Sequence, residues 1–61
     1  MDLNKYLGLK VKILLKNNYY YVGIVKNTDE TSLDLIDVKN NFVSLNKEII
    51  LSIQEVKNGN A

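Results

Sequence analysis

The sequence predicts an all-β domain, with a short N-terminal helix followed by a five-stranded, strongly bent antiparallel barrel. Three observations carry this expectation. From Leu9 onward apolar and polar residues alternate with the period of a strand. Clusters of Asn, Asp, Glu and Lys then divide the chain into segments of strand length. Finally, Gly23 sits near the middle of the longest segment, where a strand without a side chain can bend sharply. At 61 residues these strands cannot build a useful sandwich, whereas a curved sheet closing on itself buries its own face.

The first element is a helix over Met1–Gly8. Asp2 can cap it, Leu3, Tyr6 and Leu7 share one face, and Gly8 suits a left-handed terminus. A helix of about two turns is unstable alone, so its apolar stripe must lie on the sheet as a lid. The first strand follows, with Val11, Ile13 and Leu15 alternating with Lys10, Lys12 and Lys16. Asn17-Asn18 is a hairpin turn into a second strand over Tyr19–Thr28. Asp29-Glu30-Thr31 makes the next turn, and a third strand fits residues 31–38. Lys39-Asn40-Asn41 leads to a short strand, Phe42–Leu45, and Asn46-Lys47-Glu48 to a last one, Ile49–Val56. Residues 1–56 are thus one domain and 57–61 a polar, frayed tail.

Composition narrows the function. There is no Cys and no His, which removes disulfides, thiol nucleophiles, imidazole acid/base chemistry and the common zinc sites. The carboxylates Asp29, Glu30, Asp34 and Asp37 have no accompanying base, nucleophile or cofactor motif. The expectation is a non-enzyme with no cofactor, no metal and no small-molecule substrate. No apolar run approaches a membrane span or signal core, so a cytoplasmic protein without a membrane partner is expected. A net charge of +1 neither demands a nucleic acid nor excludes one. All eight basic residues are Lys and Asn is abundant, a pattern of AT-rich coding, so single Lys, Asn or Tyr residues carry little weight unless their position asks for them.

The apolar residues exceed what one buried face can hold. The inward set is Val11, Ile13, Leu15, Tyr21, Val25, Leu33, Leu35, Ile49, Leu51 and Ile53, while Leu14, Val22, Ile24, Ile36 and Ile50 fall on the opposite parity. The last two strands contain neither Pro nor an internal charge, the devices that normally protect an edge. Phe42, Val43, Leu45, Ile49, Ile50 and Leu51 therefore form a candidate edge for pairing with a neighbouring chain.

The run Tyr6–Lys16, then Tyr21-x-Gly23 and Asp29, resembles the first motif of Sm and Sm-like proteins, and Leu45–Ile53 resembles, more weakly, their last loop and strand. Hydrophobic alternation around one glycine is shared with other SH3-like barrels. The resemblance implies a ring of five to eight subunits, joined through the fourth and fifth strands, that binds single-stranded RNA. It places Thr31 and Leu33 where the family has a stacking aromatic and a base-reading Asn, and Asn46-Lys47 where it has Arg-Gly. Neither Thr nor Leu stacks a base well, and Lys lacks the fork of Arg. Asp29 matches a residue that braces the binding loop. Independently of the resemblance, Lys10, Lys12, Tyr19 and Tyr20 form an alternative surface, since exposed aromatics beside lysines can stack single-stranded bases. The same apolar edges would also serve a barrel that assembles with protein partners and has no nucleic-acid role.

Overall fold

The computed structural model describes residues 2–57, so of the predicted tail, 57–61, residues 58–61 lie outside the described residues. Five strands form one antiparallel sheet: β1 (Lys10–Leu15), β2 (Tyr20–Thr28), β3 (Ser32–Asp37), β4 (Phe42–Asn46) and β5 (Ile50–Glu55), in the order β4-β3-β2-β1-β5. The strands end where the sequence places turn residues. Asn18 and Asn40 adopt the left-handed conformation, with φ of 74° and 68°. Asn17 Oδ1 accepts from the Tyr19 N–H at 3.1 Å, and Asp37 Oδ1 accepts from the Lys39 and Asn41 N–H groups, both at 2.9 Å. Each turn is closed by its own short polar side chain.

The N-terminal segment is a single 3-10 turn, Leu3–Tyr6, rather than a helix of two turns. Asp2 caps it as expected, accepting from the Asn4 N–H at 3.1 Å. It stops there because the backbone is already claimed by the sheet: the Gly8 N–H donates to the Val25 carbonyl at 2.9 Å and the Val25 N–H to the Leu9 carbonyl at 3.0 Å. Leu3 is buried in the core and Tyr6 packs against it, but Leu7 is exposed, so the apolar stripe is narrower than predicted.

Leu3, Val11, Ile13, Leu15, Val25, Leu33, Leu35, Leu45 and Ile50 make the core. The phase of β5 differs from the sequence expectation: Ile50 is buried, whereas Ile49 and Leu51 are exposed. The cause is a register shift against β1, where Leu15 faces Ile50 but Leu14 faces Ser52. Leu51 is the extra residue of this bulge, so Ile50 and Ile53 both turn inward three positions apart. A second shift lies in β2, where Val25 faces Leu35 and Asn27 faces Asp34, leaving Lys26 as the extra residue. Gly23 also meets a steric need. A Cβ on it would fall onto the Ile36 carbonyl oxygen and lie 2.7 Å from Asp37 Cα, so glycine permits β3 to approach.

Candidate functional site

The β2–β3 turn and the β4–β5 connection meet at one end of the sheet. Asp29 organises the first. Its Oδ1 accepts from the backbone N–H groups of Thr31 at 2.8 Å and Ser32 at 2.9 Å, and from both their hydroxyls at 3.2 Å. These donors, above all the backbone ones, hold its carboxyl below the usual carboxylate range. The predicted bracing role thus has a definite geometry. The connection from β4 to β5 is a 3-10 turn, Lys47–Ile49, capped by Asn46, whose Oδ1 accepts from the Glu48 N–H at 2.8 Å. The Lys47 N–H donates to the Thr31 carbonyl at 2.7 Å and ties the two loops together.

Thr31, Asn46 and Lys47 therefore converge, as the sequence placed them, around an open cleft of about 510 Å³ that also includes Glu30 and Glu48. A neighbouring cleft of about 790 Å³ continues past Lys47 and Thr31 to Asp29, Glu30 and Asp2. Leu33 does not join them. Its side chain is fully buried beneath the sheet, because it shares the inward parity of Leu35, and it presents nothing to a ligand. The Asn46 carbonyl oxygen is already engaged as a cap, which leaves only its amide N–H groups to meet a base edge. The electrostatics were not visible in any single motif: among the described residues Lys47 is the one cation lining these clefts, against Asp2, Asp29, Glu30 and Glu48. Such a lining repels a polyanion near Lys47. Among the described residues no cluster of acidic side chains is arranged to hold a metal ion.

The alternative surface is partly assembled. Tyr20 and Lys12 lie on the outer face of the sheet, with Lys12 Nζ 4.6 Å from the Tyr20 ring centroid. That cation–π contact covers one side of the ring that a base would need. Lys10 is exposed opposite Ile24, and Tyr19 is exposed at the hairpin mouth rather than beside Tyr20 on the same face.

The candidate edge divides in two. Leu45 and Ile50 are core residues and Val43 is half-buried against the core, so their side chains are spent inside the domain. Phe42 (65% exposed), Ile49 and Leu51 (54%) face solvent. Both β4 and β5 are outermost in the sheet, and among the described residues no ladder joins them. Sequence reasoning overlooked Val38 as a surface residue, at 67% exposure, although its place just past β3 next to a turn was the available signal.

No family model and no curated protein matches this chain. A chain from a solved structure described as the structural basis of Dcp1:Dcp2 mRNA decapping complex activation by Edc3 and Scd6 superposes on 97% of it with a TM-score of 0.80 and 21% identity. The present chain spans 64% of that chain's length. The likeness shows a shared small β fold. No helix among the described residues is long and apolar enough to cross a membrane.

Proposed function

We propose that this chain is a non-catalytic interaction and assembly module that pairs with partner chains along its sheet edges. The observation that carries the reading is the strand order: among the described residues β4 and β5 are both unpaired along one side, and they are free of Pro and flanked by the exposed apolar side chains of Phe42, Ile49 and Leu51. Unpaired N–H and C=O groups beside apolar side chains are a template for strand addition. The acidic clefts around Lys47 favour this reading over RNA binding, and the similar fold found within a multi-protein decapping assembly supports it. Chemical cross-linking and native mass spectrometry test it. Association through the edges is expected, and Leu51→Lys is expected to reduce it strongly; a monomer that captures no partner would overturn the proposal.

A second reading is an Sm-like homo-oligomeric ring binding single-stranded RNA. It is favoured by one observation, the convergence of Thr31, Asn46 and Lys47 through the Lys47–Thr31 backbone hydrogen bond at 2.7 Å. Native mass spectrometry with oligouridylate and oligoadenylate separates the two: RNA bound to a ring, and lost in an Asn46→Ala/Lys47→Ala variant, would select the second reading.

A further inference from the structure

Between the two register shifts runs a stretch of regular ladder, and on β2, β3 and β4 the outward side chains along it are apolar. Ile24 of β2 stands opposite Ile36 of β3, which stands opposite Phe42 of β4. One row along, the Val38 N–H donates to the Val22 carbonyl at 3.0 Å, and one row further Tyr20 faces Leu14. Together they form a band crossing four strands obliquely. With ~4.8 Å between strands and ~3.4 Å per residue along them, the band is roughly 20 Å long.

The nature of its occupant follows from the backbone. Inside the sheet the N–H and C=O groups of β2 and β3 are already paired on both sides. An extended peptide laid across this face would find no backbone partners and would leave its own polar groups dry. The occupant must satisfy its own backbone, as a helix does. A helix of about 13 residues covers roughly 20 Å and presents apolar anchors every third or fourth residue.

Charge selects the partner further. On β1, Lys10 stands opposite Ile24 and Lys12 opposite Val22, giving the band a basic flank. Among the described residues Asp34 is the one carboxylate at the outward register positions around it, and Asp37 and Lys39 line the concavity beside Tyr20, Val22 and Val38. A second copy laid face to face would bring Lys10, Lys12 and Lys39 of each chain against Asp34 and Asp37, an excess of positive charge on both sides.

We propose that this outer face is the docking site for an amphipathic α-helix of a partner protein, apolar on one side and carrying carboxylates along the flank that meets Lys10 and Lys12. The proposal rests on the reading of the chain as an interaction module; its surface meets the β4 edge at Phe42 and lies apart from the β5 edge that Leu51 flanks.

The test uses designed helical peptides of about 14 residues, alike in their apolar stripe and differing in whether the flank carries Glu or Lys, with binding read by fluorescence anisotropy. The Glu-flanked peptide is expected to bind about tenfold more tightly than the Lys-flanked one. A Lys10→Glu/Lys12→Glu variant should reverse that preference, and Ile24→Ser/Val38→Ser should abolish binding of both, with the fold of each variant checked by circular dichroism. Leu51→Lys, which disables the edge, should leave peptide binding unchanged. Absence of peptide binding, equal affinity for both flanks, or a dimer dispersed by Ile24→Ser/Val38→Ser would each overturn the proposal. Edge-mediated association in a protein that binds neither peptide would show that this site alone has failed, and not the interaction module.

Discussion

Gly23 and Gly8 show how differently one residue type can be required. At Gly23 the space is taken by the Ile36 carbonyl and Asp37 Cα, so Gly23→Ala forces the backbones of β2 and β3 apart. Gly8 has φ of +84° with open space around its Cα, so Gly8→Ala meets only the backbone penalty of about 1 kcal/mol. Urea unfolding should therefore show a larger loss for Gly23→Ala, about 2–3 kcal/mol. Equal losses would mean that β3 does not approach as closely as the structure has it. Asp29 makes a prediction of another kind. Because hydrogen bonds hold its folded pKa below the ordinary value, its contribution is fully present above about pH 4 and disappears as pH falls through the lowered pKa. Asp29→Asn keeps an acceptor and loses the charge, so its unfolding midpoint should fall less between pH 5 and pH 2.5 than that of the parent protein. A parallel decline would show that the turn does not depend on the ionised carboxylate.

At the scale of elements, strand positions were legible because Asn, Asp and Gly close the turns through local chemistry that a sequence displays. The phase within β5 was not, because its bulge is decided by β1, far away in the chain. Alternation alone made Ile49 and Leu51 inward and Ile50 outward, and the shift opposite Leu14 and Leu15 reverses them. Ile50→Ala should consequently cost about 3 kcal/mol in denaturant unfolding, while Leu51→Ala should cost less than about 1 kcal/mol. The reverse ranking would restore the simple alternation. The candidate site divided along the same line. The grouping of Thr31 with Asn46 and Lys47, and the bracing by Asp29, followed from motif positions, whereas the burial of Leu33 and the convergence of Asp2, Glu30 and Glu48 on Lys47 depend on how distant loops meet.

For the whole molecule the governing fact is size. A chain of 61 residues buries a smaller share of its surface than a larger domain does, and its nine-residue core is modest, so any additional burial weighs heavily. Edge pairing supplies such burial and also satisfies the free backbone groups of β4 and β5. Association coupled to folding makes stability depend on concentration, since only the folded chain presents a paired edge. The melting temperature should accordingly rise as protein concentration is raised a hundredfold, and Leu51→Lys should remove that dependence while leaving the dilute-limit melting temperature nearly unchanged, because Leu51 is 54% exposed. The dilute limit is what separates association from folding: a variant that melted lower even there would place Leu51 in the domain's own packing. If the parent protein showed the same melting temperature at every concentration, the edges would not pair between copies, and the remaining apolar surface would serve a different chain.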